Sequence, residues 1–342
     1  MTAPTRVLIV DDSASMRAVL NRILSSDPLI EVVGMAPEPH AAREMIKSLN
    51  PDVVTLDVEM PGMDGLSFLE KIMRLRPMPV IMCSTLTAKG AEITIEALRL
   101  GAVDCIAKPS GDPSQIERDG ALFRKMVRDA ARFEVRRAPE IRQPVAPALP
   151  GKQRDVLIAI GASTGGVEAL FSLIGALPLD CPPVLVVQHM PASFTSGFAE
   201  RLDRECQVSV VEAIAGTQIR RGTVYIAPGG ANHMELTGGT TGHIRLRPSE
   251  LVGGHRPSVD VLFRSVSALG ASAVGAILTG MGSDGAEGLL AMRQAGARTF
   301  GQNQASCVVY GMPRAAFERG AVEKEVSLSA MPEAILGACR TQ

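Results

Sequence analysis

Twice along the chain, short runs of β-branched and aliphatic residues alternate with helix-length amphipathic stretches. That period leaves few choices other than a parallel sheet wrapped by helices. The first series is Val7-Leu8-Ile9-Val10, Val32-Val33, Val53-Val54-Thr55-Leu56, Val80-Ile81-Met82-Cys83 and Val103-Asp104-Cys105-Ile106. Nearly continuous apolar runs belong to strands buried on both faces, so this half reads as a (βα)5 doubly wound unit. Its closing segment, Ser114 to Arg137, sets Ile116, Phe123, Val127, Ala130 and Phe133 on one stripe and reads as an amphipathic helix. Pro139, Pro144, Pro147 and Pro150 then break any regular period and mark a semi-extended linker. The second series runs Val156 to Ile160, Val184 to Val187, Val208 to Val211, Thr223 to Ile226 and Ala273 to Leu278. Between Met234 and Leu246 a Gly/Thr-rich turn with alternating flanks predicts an antiparallel hairpin attached to the sheet. The expected architecture is α/β: a (βα)5 doubly wound domain over 1–137, a linker over 138–152, and a second doubly wound, mainly parallel domain with a hairpin over 153–342.

The length of 342 residues suits about two domains of ordinary size. Aromatic residues make up only 3% and Trp is absent, so Val, Ile, Leu, Ala and Met must fill both cores. A net charge of -1 supplies no broad basic footprint, which argues against nucleic acid or an anionic membrane as partner; only the stretch 111–150 is net basic. The uncharged stretch from Ser265 to Ser283 is broken by glycines and too weakly apolar to span a bilayer, so no membrane insertion is expected. Asp11 and Asp12 arrive where a secretory leader would still be apolar, which predicts a cytoplasmic protein. The six cysteines form no C-x-x-C pair and read as reduced core thiols.

In a doubly wound sheet, ligands bind beyond the carboxyl ends of the strands, where strand order reverses. The residues at those ends in the first half are Asp11, Asp12, Asp57, Ser84, Thr85 and Lys108. Any one of the acids alone serves equally well as a helix N-cap. Together they put three carboxylates in one crevice, a charge that suits a hard divalent cation such as Mg²⁺, with Lys108 offsetting the remainder. Val10-Asp11-Asp12, the run from Leu56 to Gly65, Ser84 and Lys108-Pro109 resemble the receiver domain of bacterial response regulators. That resemblance implies Asp57 as phosphoacceptor, and Asp11, Asp12, Asp57 and the backbone carbonyl of Glu59 as Mg²⁺ ligands. It implies Ser84 as a switch hydroxyl and Lys108 as a phosphoryl contact. Cys83 and Cys105, beside these residues, read as core thiols.

In the second half, Gly161-x-Ser163-x-Gly165 falls between a strand and a helical run, the setting of a nucleophile elbow. The same loop approximates a nucleotide-binding G-x-G-x-x-G with its middle glycine replaced, a weaker fit for pyrophosphate. A serine needs a base, and His189 ends a strongly apolar strand at the same edge of the sheet, whereas His233 and His243 border the hairpin and His255 lies in a Gly-rich loop. Asp284, after another strand, serves either to orient an imidazole or to cap the following helix.

The segments Gly161 to Gly166, Gln188 to Pro191, Tyr225 to Gly229, His255 to Asp260 and Leu278 to Asp284 resemble the catalytic domain of chemotaxis protein-glutamate methylesterases, and the order receiver, linker, effector extends the likeness over nearly the whole chain. The resemblance implies hydrolysis of γ-glutamyl methyl esters on methyl-accepting chemotaxis receptors and deamidation of selected receptor glutamines, with no cofactor for the hydrolysis. It implies Ser163 as nucleophile, His189 as base and then acid, Asp284 as orienting carboxylate, and the Met281 backbone N–H in the oxyanion hole with Thr164 adjoining the nucleophile. A chemotaxis histidine kinase is the implied phosphodonor, phosphorylation releasing a restraint by the receiver. Ser283 stands where related chains often carry Asn or Asp. Two rival readings are a non-enzymatic regulator with a binding effector and a nucleotide-dependent oxidoreductase.

Overall fold

The computed structural model describes residues 3–60, 64–84, 88–109, 113–131 and 155–340. The linker expected over 138–152, residues 61–63, Thr85 and the final turns of the predicted closing helix, Phe133 included, lie outside the described residues. The chain divides into two units, Met1–Arg137 and Ala138–Gln342.

In the first unit β1 (Thr5–Val10), β2 (Ile30–Ala36), β3 (Val53–Asp57), β4 (Val80–Ser84) and β5 (Asp104–Ala107) alternate with α1 (Ala14–Ser25), α2 (Pro39–Leu49), α3 (Gly65–Leu75), α4 (Ala88–Arg99) and α5 (Pro113–Ala130). The sheet is fully parallel in the order β2-β1-β3-β4-β5. The central strands β3 and β4 are buried throughout, as their unbroken apolar runs predict, whereas the edge strand β2 is half exposed. On one face Phe123, Val127 and Ala130 of α5 pack with Leu20, Ile23 and Leu24 of α1 over Val7, Ile9 and Ile81. The order reverses at β1, so the ends of β1 and β3 border one crevice.

The second unit contains β6 (Leu157–Ala162), α6 (Gly166–Gly175), β7 (Val184–Gln188), α7 (Ala192–Glu205), β8 (Ser209–Glu212), β9 (Thr223–Ile226), β10 (Asn232–Thr237), β11 (His243–Pro248), α8 (Val259–Ser267), β12 (Ala273–Ile277), α9 (Ala286–Gln294), β13 (Arg298–Gln302), α10 (Met312–Glu318), β14 (Lys324–Val326) and α11 (Met331–Ala338). Among the described residues its main sheet has seven parallel strands, β14-β13-β12-β6-β7-β9-β8. Sequence periodicity anticipates five of these; β13 and β14 lack the aliphatic run that marks the others. The hairpin forms where expected, but β10 and β11 make a two-stranded sheet of their own rather than extending the main one. It is tied down by Gly216 N–H donating to Ile244 O at 2.8 Å and Ile244 N–H donating to Thr217 O at 2.9 Å. Met234, Leu236 and Ile244 from the hairpin join Val259, Leu262 and Phe263 of α8 and Leu289 and Met292 of α9 in one core. No helix among the described residues is long and apolar enough to cross a membrane.

Candidate active site

The reversal of strand order in the seven-stranded sheet lies at β6, which pairs with β7 on one side and β12 on the other. Ser163 follows β6 directly, His189 follows β7, and residues 279–284 follow β12. Ser163 N–H donates to Thr279 O at 3.1 Å and His189 N–H donates to Ala162 O at 3.0 Å, so all three strand ends are laced together. The Gln188 amide reinforces this, donating through Nε2 to Ser163 O at 2.9 Å and to His189 O at 3.1 Å.

The chain turns sharply at the serine. Gly166 N–H donates back to Ser163 O at 2.7 Å, and α6 starts from Gly165 in the left-handed region at φ 75°. A Cβ at Gly165 would stand 2.5 Å from the Val308 Cβ, and one at Gly161 would stand 2.2 Å from a Val259 methyl, so the turn is seated hard against Val308 on one side and the start of α8 on the other. Gly165→Ala combines a disfavoured φ with overpacking and is expected to destabilise the protein by about 2–4 kcal/mol. Urea unfolding checks this; an unchanged midpoint contradicts it.

His189 Nε2 lies 2.8 Å from Asp284 Oδ2. Against an ionised carboxylate that nitrogen is the donor, which leaves Nδ1 as the acceptor of the ring. Nδ1 is buried without a hydrogen-bond partner among the described residues. His255 stacks on the ring of His189, centroids 3.9 Å apart and planes 3° from parallel. Asp284 also accepts from Ser258 Oγ–H at 2.7 Å, Val259 N–H at 2.8 Å and Asp260 N–H at 3.1 Å. It therefore binds the N-terminus of α8, while the N-cap of α9 is Gly285.

Burial alone pushes the Asp284 carboxyl up, but His189, the Ser258 hydroxyl and the Val259 N–H outweigh it and hold the carboxyl down at about 2. A carboxyl lowered on folding stabilises the protein above its ordinary value of 3.8 and loses that contribution as pH falls through about 2. Between these values the wild type should lose about 2 kcal/mol that Asp284→Asn does not lose. Denaturant titrations of both proteins across that range test it, and parallel curves contradict it.

Thr164, expected beside the nucleophile, and Gly280, the neighbour of the expected oxyanion-hole residue Met281, border Ser163. Thr164 is buried, its carbonyl accepting from Thr279 Oγ1 at 3.0 Å. Gly280, which precedes Met281, packs on Ser163: a Cβ there would lie 2.8 Å from Ser163 Cβ.

In the first unit Asp11, Asp12 and Asp57 each offer a carboxylate oxygen within 4.8 Å of the others. Lys108 Nζ stands 2.9 Å from Asp11 Oδ2 and 2.7 Å from Asp57 Oδ2. Beyond Lys108, these two buried oxygens have no partner among the described residues. An all-oxygen anionic set with unfilled acceptor capacity fits a hard divalent cation. Burial pushes the Asp57 carboxyl up, with Lys108 opposing it and Asp11 reinforcing it. Burial likewise works against the Lys108 charge, but the carboxylates of Asp57 and Asp11 raise the ammonium above its ordinary value. Glu59 N–H donates to Asp57 Oδ1 at 3.2 Å, and Lys108 N–H donates to the carbonyl of buried Ser84 at 2.8 Å. The thiols of Cys83 and Cys105 are buried and pushed up by that burial, so neither competes as a nucleophile.

Residues 158–335 match the family model described as CheB methylesterase, and residues 7–118 match that of the response regulator receiver domain. The chain belongs to the CheB methylesterase family. It is 56% identical over 340 residues, 98% of each chain, to the protein-glutamate methylesterase/protein-glutamine glutaminase 1 of Caulobacter vibrioides. It is 54% identical over 342 residues to the protein of the same name in Rhizobium johnstonii, covering 98% of this chain and 97% of that one. The solved CheB methylesterase catalytic domain of Thermotoga maritima is 34% identical, with a TM-score of 0.51, over 55% of this chain and 99% of that domain. As a CheB methylesterase family member the chain is a hydrolase, which disposes of the rival readings as a non-enzymatic regulator and an oxidoreductase. Reasoning from sequence did not find the contacts of Gln188, His255 and Ser258 within this family's site. The run His255 to Asp260 carried the only signal for the latter two, since loop periodicity says nothing about where a loop returns.

Proposed function

We propose that this hydrolase removes methyl groups from γ-glutamyl methyl esters of methyl-accepting chemotaxis receptors and deamidates selected receptor glutamines, stimulated by phosphorylation of Asp57. The observation that carries the reading is the 2.8 Å contact of His189 Nε2 with Asp284 beside the Ser163 turn. Ser163 Oγ attacks the ester carbonyl carbon as its proton passes to His189 Nδ1, the nitrogen not engaged by Asp284. Asp284 holds the ring and stabilises the imidazolium. The oxyanion is received by backbone N–H groups at the strand ends, Met281 contributing one, with Thr164 adjoining the nucleophile. His189 then protonates the departing methoxide, methanol leaves, and Ser163 remains esterified to the glutamyl side chain. Water, deprotonated by His189, attacks this ester; glutamate is released and Ser163 recovers its proton. With a glutamine the same steps release ammonia, in keeping with the double name of the relatives.

In the receiver, Asp57 is the proposed acceptor of a phosphoryl group from a chemotaxis histidine kinase, with Lys108 placed to meet the phosphoryl oxygens and the Ser84 hydroxyl to contact the product. Asp11, Asp12, Asp57 and the Glu59 carbonyl would hold Mg²⁺, which when bound neutralises charge on the transferring group. Mass spectrometry of receptor peptides after incubation with the full chain tests the hydrolase assignment. Conversion of methylated glutamyl peptides to free glutamyl peptides is expected, and persistence of the methylated forms overturns it.

A further inference from the structure

The pair formed by His189 and Asp284 is one end of a longer buried chain. Ser258 Oγ–H donates to Asp284 Oδ1 at 2.7 Å, Ser258 N–H donates to His233 Nδ1 at 3.0 Å, and His233 Nε2–H donates to Glu250 O at 2.9 Å. Ser258 and His233 are both fully buried. A backbone N–H only donates and a backbone carbonyl only accepts, so His233 accepts at Nδ1 and donates from Nε2. The Ser258 hydroxyl is equally constrained, because an ionised Asp284 can only accept from it.

We propose that Ser258 and His233 are positioning residues for the reaction at Ser163. His233, fixed on β10, holds the residue at the head of α8 in place; Ser258 Oγ–H and Asp260 N–H then pin Asp284 Oδ1, which aims Oδ2 at His189. The inference rests on the proposed roles of Ser163, His189 and Asp284. Among the described residues, Ser258 makes the shortest of the four hydrogen bonds to Asp284 and its only one from a side-chain hydroxyl. Without it the carboxylate is freer to rotate and is a stronger base, so it holds an imidazolium more tightly and makes His189 harder to deprotonate. Among the described residues, Asp260 of α8 interacts with Asp284, and His255 stacks on the His189 ring.

Full-length Ser258→Ala is expected to lower kcat about 10- to 30-fold with KM nearly unchanged, and to move the acid limb of kcat/KM up by about half a pH unit. Ser258→Cys, close in shape and a weaker donor, should fall between it and wild type. His233→Leu should resemble Ser258→Ala, whereas His233→Asn, whose Oδ1 replaces the Nδ1 acceptor, should stay within about threefold of wild type. Methanol release from methylated receptor membranes gives the kinetic constants, and labelling of Ser163 by a fluorophosphonate reports the base without any receptor. Thermal midpoints report folding, and the Cys variant carries the test if the Ala variant fails to fold. Wild-type kcat and an unmoved acid limb in the folded Ser258 variants overturn the inference. Ser163→Ala, run alongside, separates the two levels: an active Ser163→Ala removes the proposed reaction itself, while an inactive one beside wild-type Ser258 variants removes only the positioning role.

Discussion

Ser163→Ala is expected to lower ester hydrolysis by roughly four to six orders of magnitude while the protein stays folded and Asp57 still accepts phosphate. The size of the effect follows from what remains. Alanine leaves His189, Asp284 and the backbone donors in place, yet no oxygen is left to form the acyl intermediate. The fold should tolerate the change because the groups that hold this turn are backbone: Ser163 N–H on Thr279 O, and Ser163 O accepting from Gly166 N–H and the Gln188 amide. Initial rates of methanol release, with circular dichroism as control, measure it. Turnover within tenfold of wild type would mean that another group is the nucleophile.

Asp57→Asn should abolish the response to phosphodonor completely and leave only the basal rate. Asn is nearly isosteric but cannot form an acyl phosphate, and Lys108 would retain Asp11, 2.9 Å away, as its partner. Removing the Asp57 charge also relieves the burial that pushes its carboxyl up, so the receiver should not unfold. Initial rates with and without phosphodonor, compared with wild type, test this. A variant that still accelerates would place the acceptor elsewhere.

The parts of the molecule legible in its sequence are those where one local rule decides the outcome. The runs that became β1, β3, β4, β6, β7 and β12 are nearly unbroken apolar stretches, and strands of that kind are buried in parallel sheets. Strand ends at the reversal of order then gather Asp11 and Asp57, joined by Lys108 from the end of edge strand β5, in one unit and Ser163, His189 and Asp284 in the other. By contrast, β13 reads Arg-Thr-Phe-Gly-Gln and β14 has three residues, so each depends on its neighbour in the sheet rather than on its own pattern. Asp284 shows the same limit at a single residue. Its place before α9 offered a local cap, but the structure gives its oxygens to α8, a partner that lies earlier in the chain. His255 and Ser258 reach the site only because the loop from β11 to α8 comes back over His189, and glycine-rich loop composition carries no trace of that return.

Methanol release from methylated receptor membranes, measured with the full-length protein in the presence and absence of a small-molecule phosphodonor and Mg²⁺, tests the central claim most directly. A phosphorylation-stimulated esterase built on Ser163 releases methanol, does so faster when the phosphodonor is present, and loses the release in Ser163→Ala. No methanol under either condition would contradict it.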